Sequence, residues 1–163
     1  MARQSVESNV TLSILDRLID SDPKLSSEVP FTRAHSLRLL KDALRRDLEW
    51  LLNTRKIAVP PEEALKELNR SVYVFGLPDF SGYKMASSAD QARFLKLLQG
   101  VVKLFEPRLA NIRVMPLEGS LLHTRTLRLR IDGLLRIDPA PEHVSFDTVL
   151  ELTSGNYEVK NAG

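Results

Sequence analysis

Two long segments of the chain carry apolar residues at the spacing of an amphipathic helix, with one side chain on the same face every three or four positions. In the first segment, Thr32 is a candidate N-cap. Its apolar stripe consists of Leu37, Leu40, Leu44, Leu48 and Leu51. In the second, Ser88 and Gln91 have the spacing of a capping box, and Pro107 ends the segment. Its stripe consists of Ala92, Leu95, Leu98, Val102 and Phe105. We predict a helix in each segment.

Shorter elements surround these helices. The segment from Val6 to Asp20 predicts a short amphipathic helix, and the Ser-, Asp- and Pro-containing residues 21–31 predict a linker. The apolar residues of this short helix are Val10, Ile14, Leu15 and Leu18. Residues 61–69 have a proline in their first turn and predict another short helix. Residues 71–83 combine glycines and a proline with aromatic residues, which is typical of a packed, irregular connection.

The last third of the chain alternates apolar and polar residues, as half-buried strands do. The first such run, residues 112–116, closes at Pro116. The Asp132-Gly133 dipeptide is a hairpin signal, but a two-residue turn there would pair charged with apolar side chains on both faces. In one continuous strand from Leu127 to Ile137, the apolar side chains all lie on one face. We therefore predict a single long strand with Gly133 at its bend.

Two further strands complete the predicted sheet. The turn-forming DPAPEH segment precedes an alternating strand at residues 145–152, and a short loop at residues 154–156 leads to a returning strand. Helices come first and strands last, which is the order of an α+β fold. We predict N-terminal helices packed on a C-terminal antiparallel β-meander. Residues 1–30 would form the helix and linker, and residues 31–163 a single domain.

Composition and charge narrow the class of protein but do not indicate a particular function. At 163 residues and 43% hydrophobic content, the chain is long enough for one core of its own. A net charge of +2 is too small to imply nucleic acid or an anionic membrane as a partner. The chain has no cysteine, no apolar signal sequence at its start and no apolar run near the roughly 18 residues of a membrane span. We expect a cytoplasmic protein without direct membrane insertion.

No catalytic, nucleotide-binding or metal-binding motif stands out. The seven glycines form neither a dinucleotide-binding fingerprint nor a phosphate-binding loop, and the nucleophile motif GxSxG is absent. The three histidines, His35, His123 and His143, lie far apart and lack the spacing of metal ligands. We therefore expect no catalytic residue, no metal site and no cofactor.

Two other functions stay open at this point. Glu106 and Asp132 could serve a peptidoglycan-cleaving, lysozyme-like hydrolase, which needs a pair of carboxyl groups. However, the neighbouring Arg108 favours the charged form of Glu106 over the protonated acid that such a reaction requires. The second alternative is a nucleic-acid-binding domain that uses basic residues of the first long helix and its end. Those residues are Arg38, Lys41, Arg45 and Arg55.

The tripeptide Glu106-Pro107-Arg108 lies where the second long helix ends. A glutamate at a helix C-terminus is unfavourable by roughly 0.3–1 kcal/mol, because it opposes the helix dipole, so a compensating cation is expected. With Pro107 fixing the turn, Glu106 and Arg108 suit a bidentate contact with each other or with a partner. From the residues alone the intramolecular clasp is favoured, and the partner contact stays open.

Five blocks of the sequence resemble the baseplate wedge proteins of contractile tails, a family with an EPR motif. Within it they are most similar to the TssE branch of bacterial type VI secretion systems. The motif itself is EPRL at Glu106 to Leu109. The other blocks are LDRL at residues 15–18, RRDLEWLLNTR at 45–55, SVYVFGLPD at 71–79, and RIDGLLR with VSFDTVLEL toward the C-terminus. The likeness covers nearly the whole chain, and five blocks in this order are much more specific than the tripeptide.

The resemblance implies a non-enzymatic assembly protein of the baseplate wedge, despite a family label that refers to lysozyme. Glu106, Pro107 and Arg108 would then be partner-binding residues that face the helical core bundle of the wedge. The implied partners are the wedge subunits TssF, TssG and TssK and the sheath subunits TssB and TssC, whose first ring would rest on this protein. We expect loss of Glu106 or Arg108 to block assembly without unfolding the domain.

A sheet that ends in an unpaired strand can also bind a partner by strand addition. The last strand is the predicted edge at which the sheath docks, and it comprises Tyr157, Glu158, Val159 and Lys160. The long strand from Leu127 to Ile137 is the next candidate.

Overall fold

Helices fill the N-terminal half of the protein, and an antiparallel sheet fills the C-terminal half. The computed structural model describes residues 10–19, 32–80, 82–83, 87–117, 126–152 and 154–162. The helices are α1 (Ile14–Leu18), α2 (Arg33–Asn53) and α3 (Ser88–Phe105), and the strands are β1 (Leu109–Pro116), β2 (Thr126–Leu135), β3 (Glu142–Glu151) and β4 (Tyr157–Asn161). The predicted α+β class is confirmed.

Both long helices begin at a capping hydroxyl. Thr32 caps α2, and its side-chain oxygen accepts the N–H of His35 at 3.3 Å. The cap of α3 is Ser87, whose hydroxyl accepts the N–H of Asp90 at 3.5 Å, and the predicted cap Ser88 is the first helical residue instead. Ser87 and Ser88 are equally suited to cap a helix, so the contacts of the folded chain decide which of them does so.

The predicted helix at residues 61–69 is wrong. That stretch forms separate turns with isolated backbone bonds, followed by the 3-10 turn Leu68–Arg70. The side-chain amide of Asn69 donates to the carbonyls of Glu62 (2.8 Å) and Leu65 (3.0 Å) and stabilises these turns. The connection that follows is irregular, as predicted, and it buries Leu77.

The sheet has the order β1-β2-β3-β4, and each strand is antiparallel to its neighbour. β2 runs through Asp132 and Gly133 without turning, so the prediction of one continuous strand is confirmed. Gly133 lies opposite an irregularity in β1, where Asn111 has a positive φ of 52°. A Cβ at Gly133 would lie 3.3 Å from the Ala110 carbonyl oxygen, so the glycine permits the close approach of two backbones.

One face of the sheet and the two long helices form the core. The buried side chains of β2 and β3 include Leu127, Leu129, Ile131, Leu135, Val144, Phe146 and Leu150. α2 packs over β4, and α3 packs over β1. The opposite face of the sheet carries charged pairs such as Arg130 and Asp147, which make two hydrogen bonds of 2.7 and 3.0 Å. Each long helix therefore lies beside one edge of the sheet.

α1 is shorter than the predicted helix from Val6 to Asp20, of which residues 6–9 and 20 lie outside the described ranges. Its N-cap is Ser13, and none of its residues is buried. The preceding residues Val10 and Leu12 make the contact with the core. The predicted domain boundary after residue 30 falls within residues 20–31, also outside the described ranges, and it stays a prediction.

Candidate partner-binding site

The turn between α3 and β1 is built by Glu106, Pro107 and Arg108. The N–H of Glu106 still donates to the Val102 carbonyl at 2.8 Å, but its backbone leaves the helical region at φ −120° and ψ 76°. Pro107 requires this conformation, because a residue before proline is pushed out of the helical region. The Leu109 N–H donates to the Glu106 carbonyl at 3.2 Å and closes the turn, with proline at the position where its fixed φ fits.

Arg108 clasps Glu106 through two parallel hydrogen bonds. Its Nε donates to Oε1 and its Nη2 donates to Oε2, both at 2.6 Å, which is the bidentate geometry of a guanidinium on a carboxylate. Glu106 is only 4% exposed, whereas 28% of the Arg108 side chain is exposed. The intramolecular clasp is therefore formed. Pro107 and the outer part of Arg108 are what the turn presents at the surface.

Asp47 of α2 holds the same guanidinium from a second direction. Its Oδ2 accepts from Arg108 Nη2 at 2.6 Å, although the two residues are 61 positions apart. The sequence places Asp47 in one of the resembling blocks, but no spacing rule indicates its contact with Arg108. The Arg108 carbonyl also accepts the N–H of Arg136 at 2.9 Å, just beyond the end of β2. The turn is thus tied to α2 and to the sheet.

The ion pairs continue from Asp47 to α1. Arg46 donates to Asp47 Oδ1 from Nε (3.1 Å) and Nη2 (2.8 Å), and its Nη1 lies 2.8 Å from Oδ1 of Asp16. The Ser13 hydroxyl donates to the other oxygen of Asp16 at 2.5 Å. Side chains of alternating sign thus form one bonded series, called the charge chain below: Asp16, Arg46, Asp47, Arg108 and Glu106. Of these five residues, only Glu106 and Arg108 stand out in the sequence as candidate site residues.

A tryptophan lies beside the charge chain. The Arg46 guanidinium carbon is 5.1 Å from the centroid of the Trp50 ring, which is the geometry of a cation–π contact. Trp50 is 56% exposed. Tryptophan and arginine are the residue types that most often dominate the binding energy of protein interfaces. The surface around the charge chain therefore has the composition of a binding surface.

Hydrogen bonds shift the pKa values of Arg108, Arg46 and Asp16 toward the charged forms. The bond to Glu106 raises the pKa of Arg108 above its ordinary value, with partial burial opposing it and Asp47 reinforcing it. The bond to Asp47 likewise raises the pKa of Arg46. Burial acts to raise the pKa of Asp16, but hydrogen bonds from Ser13 and Arg46 outweigh it and lower the pKa. Three acids and two arginines give the chain a net charge of −1.

The four predicted edge residues of β4 divide into two kinds. The side chains of Tyr157 and Val159 are buried in the core, and burial raises the pKa of the Tyr157 phenol. Glu158 and Lys160 are exposed, and their charged groups lie 2.9 Å apart. A partner at β4 would therefore meet this ion pair and whichever backbone groups point outward.

The end of the β3–β4 ladder fixes which backbone groups point outward. The Ala162 N–H donates to the Ser145 carbonyl at 3.0 Å, and bonded residues of an antiparallel strand alternate with unbonded ones. The backbone groups of Lys160 and Glu158 therefore bond to β3. Those of the residues that alternate with them face away from the sheet.

β4 is an edge strand, as predicted, but α2 covers part of its outer side. The Asn53 side chain accepts the Tyr157 N–H at 2.8 Å and donates to the Tyr157 carbonyl at 2.9 Å. Arg45 donates weakly to the Val159 carbonyl at 3.4 Å. The expectation of an unpaired edge is therefore wrong at Tyr157, because the C-terminal end of α2 lies against it. The Val159 N–H forms no bond within the described ranges.

The second edge of the sheet is β1. Gln99 of α3 donates to the Ile112 carbonyl at 2.7 Å, so α3 covers part of this edge as well. The Leu117 N–H bonds to the Arg128 carbonyl (2.9 Å), and bonded residues alternate with unbonded ones along the strand. The backbone N–H and carbonyl of Val114 therefore point away from the sheet. The prediction that the long strand from Leu127 to Ile137 is the next candidate for docking is wrong. It corresponds to β2, whose backbone groups are shared between β1 and β3.

The carboxylates of the hydrolase alternative are both engaged. Arg108 holds both oxygens of buried Glu106, and Asp132 Oδ1 accepts the Ser145 hydroxyl at 2.6 Å. A general acid must reach an oxygen of the substrate, and a buried carboxylate held at both oxygens does not present one. The arrangement gives the hydrolase alternative no support.

The basic residues of the nucleic-acid alternative are each bonded within the protein. The pairs are Lys41 with Glu142 (2.5 Å), Arg45 with Glu49 (3.1 Å), Arg55 with the Gly155 carbonyl (3.0 Å) and Arg38 with His35 (3.2 Å). Binding to phosphates requires cations that are available to replace counterions. These bonds leave the four residues poorly suited to that task.

Among the described residues, no group of three or more His, Asp or Glu side chains could hold a metal ion. None of the helices there is long and apolar enough to span a membrane.

One family profile, described as baseplate wedge protein gp25, matches residues 38–140. The match therefore includes Asp47 and the turn from Glu106 to Arg108, and it excludes α1 and β4. Comparison with curated proteins and with solved structures gives no match. Because the profile covers more than half of the chain and agrees with the five resembling blocks, the protein belongs to the baseplate wedge protein gp25 family.

Proposed function

We propose that the protein is a non-enzymatic structural component of a type VI secretion baseplate, which joins the wedge subunits to the first sheath ring and helps to start sheath assembly. Its partners would be TssF, TssG and TssK in the wedge and TssB and TssC in the sheath, in the cytoplasm. Membership in the baseplate wedge family supports a structural role in the baseplate of a contractile tail. The five sequence blocks support TssE, the type VI member of that family.

The observation that carries the proposal is the fixed guanidinium of Arg108. Glu106 and Asp47 occupy its Nε and Nη2 donors, so the side chain is held in one orientation. Its Nη1 group forms no bond within the described ranges and keeps two N–H donors for a partner. A side chain that is already ordered loses little entropy on binding. We assign the positioning of Arg108 to Glu106 and Asp47, and the contact with the wedge to Pro107 and Arg108.

We further propose that the sheath pairs with the predicted β4 edge of Tyr157, Glu158, Val159 and Lys160 through the outward main-chain groups of Val159. The Val159 N–H supports this role, because it points outward and α2 leaves it unbonded in the described ranges. The exposed side chains of Glu158 and Lys160 would then contribute specificity.

Co-purification with a co-expressed TssF–TssG complex tests the wedge contact. Pro107→Lys alters the presented surface without touching a hydrogen bond, and it should reduce the affinity at least about tenfold, as interface residues of this kind do. The matched control is Pro60→Lys, which changes another exposed proline and should bind like the parent. Both variants should lose less than about 1 kcal/mol of stability, the usual effect of a proline in a turn.

Two outcomes would overturn the proposal. If Pro107→Lys binds as tightly as Pro60→Lys and the parent, the turn is not part of the interface. Hydrolysis of purified peptidoglycan by the pure protein, abolished by changing a single carboxylate, would overturn the non-enzymatic role.

A further inference from the structure

α1 turns its apolar residues outward, the reverse of an amphipathic helix packed on its own core. Ile14 is 76% exposed, Leu15 50%, Leu18 77% and the C-cap residue Ile19 54%. Ile14 and Leu18 are four residues apart, and so are Leu15 and Ile19, so the two pairs form adjacent columns on one face. Single exposed aliphatic residues are ordinary, but four neighbours on one short element form a contiguous apolar patch.

The polar side of α1 attaches it to the protein. The Asp16 side chain is 9% exposed and pairs with Arg46 at 2.8 Å. Val10 and Leu12, which precede the helix, pack against the core. The attachment leaves half or more of each of the four outward side chains exposed, and this exposed surface adds nothing to the stability of the isolated chain. Their apolar surface is available to another molecule.

α1 lies at the opposite end of the charge chain from Arg108 and joins it through Asp16. The shortest links of the charge chain from Asp16 through Arg46 and Asp47 to Arg108 measure 2.8, 2.8 and 2.6 Å. Exposed Trp50 stacks on Arg46 in the middle of this series. A partner that covers Arg108 and Pro107 therefore adjoins Trp50 and then α1.

We propose that α1 is a second binding element for the wedge subunit that covers Arg108, and that it receives an amphipathic helix of that subunit. The inference rests on the function proposed above. A helix offers no free backbone edge, so strand addition is excluded at α1, whereas two columns at a spacing of four match the ridges and grooves of a second helix. The carboxylates of the charge chain are already bonded to its arginines, whereas exposed Arg17 and the open Nη1 of Arg108 present cationic groups, so acidic residues are expected beside the apolar stripe of the partner.

Two substitutions test this face while preserving the helix. Ile14→Asp places an acid in the first turn, where the helix dipole favours it, and Leu18→Gln keeps a good helix former near the end. Each variant should bind the TssF–TssG complex at least about tenfold more weakly, because a polar group would be buried in an apolar contact. The melting temperature should match that of the parent. Val72→Asp is the matched control: Val72 is 87% exposed, lies between α2 and α3, and should leave binding unchanged.

Hydrogen exchange provides an independent measurement on the parent protein. The amides of residues 14–19 should exchange quickly in the free chain, because a short exposed helix frays readily. They should become protected in the complex with TssF and TssG. Unchanged exchange of these amides on binding would overturn the inference.

The binding results separate failure of this inference from failure of the proposed function. If Ile14→Asp and Leu18→Gln bind like the parent while Pro107→Lys does not, α1 is not a wedge contact and the proposed function stands. Loss of self-association in those variants would then identify a second copy of this chain as the occupant, and loss of binding to phosphatidylglycerol vesicles would identify a membrane. A lowered melting temperature in both variants would show that the chain itself covers the face. If the parent does not bind the wedge subunits at all, both proposals fail.

Discussion

At the residue scale, the site depends on how Glu106 is accommodated. A carboxylate that is 4% exposed is tolerated because Arg108 provides opposite charge and two hydrogen bonds. Asp47 lies on the same guanidinium, so loss of Arg108 would leave two carboxylates without their shared cation. The sequence predicts that Glu106 or Arg108 can be lost without unfolding the domain. Because Glu106 is buried, we now expect the loss of either residue to lower the stability of the domain.

Arg108→Ala is expected to lower the free energy of unfolding by about 2–4 kcal/mol, somewhat less than breaking a fully buried pair because Arg108 is partly exposed. Glu106→Ala should cost less, since Arg108 would keep Asp47 and gain water. Urea unfolding measures both changes, and the double variant should resemble Glu106→Ala more than the sum of the two. Arg93→Ala, in an exposed pair at 3.6 Å, is the control and should stay within about 0.5 kcal/mol of the parent. Additive costs in the double variant would contradict the clasp.

The positions of the tripeptide could be identified from the sequence, and its partners could not. A glutamate before a proline at a helix end is a local anomaly, so Glu106 and Arg108 are visible without a structure. Asp47 lies 61 residues from Arg108, and an acid on a polar helix face is ordinary. Such a residue becomes informative only when packing brings the helix to the turn.

At the element scale, hydrophobic spacing located both long helices and the long strand β2, whereas the ends of elements depended on single side chains. Gly100 and Gly76 show how differently the same residue acts in two settings. Gly100 lies within α3, and a Cβ there would have no heavy atom within 4 Å. Gly76 has a φ of +105°, and a Cβ there would lie 2.5 Å from the Thr54 carbonyl oxygen at the end of α2.

Gly100→Ala should raise the free energy of unfolding by about 0.5–1 kcal/mol, because alanine reduces the backbone entropy lost in a helix. Gly76→Ala should lower it by more than about 2 kcal/mol, since the substitution combines a strained φ with a clash against backbone. Thermal or urea unfolding of the two variants measures the contrast. A neutral Gly76→Ala would show that the connection between α2 and α3 can move away from Thr54.

At the scale of the whole molecule, the sheet order leaves two edges, and each long helix lies beside one of them. Asn53 uses the outward backbone groups of Tyr157, and Gln99 uses the outward carbonyl of Ile112. Val159 on β4 and Val114 on β1 have outward backbone groups that a docking strand could use. Removing the main-chain N–H at each position in turn distinguishes which edge pairs with the docking strand.

Val159→Pro removes an outward N–H without removing a bond to β3, so the variant should fold, join the wedge and fail to start sheath polymerisation. Val159→Ala is the matched control, because it also loses buried side-chain volume but keeps the N–H, and it should nucleate sheath. Circular dichroism verifies folding, and sheath assembly on the purified baseplate is the measurement. If Val159→Pro nucleates normally and Val114→Pro does not, β1 is the docking strand instead.

The sequence by itself determined the two long helices, the strands and their order, because helical and strand periodicity, capping residues and prolines act over a few neighbouring positions. It also determined that β2 is continuous, since only that register keeps its apolar residues on one face. Tertiary structure alone decided that the clasped Glu106 is buried, that Asn53 covers Tyr157 from 104 residues away, and that α1 turns its apolar face outward. Periodicity fixes which side chains share a face, but the neighbour of that face is set by contacts between distant parts of the chain.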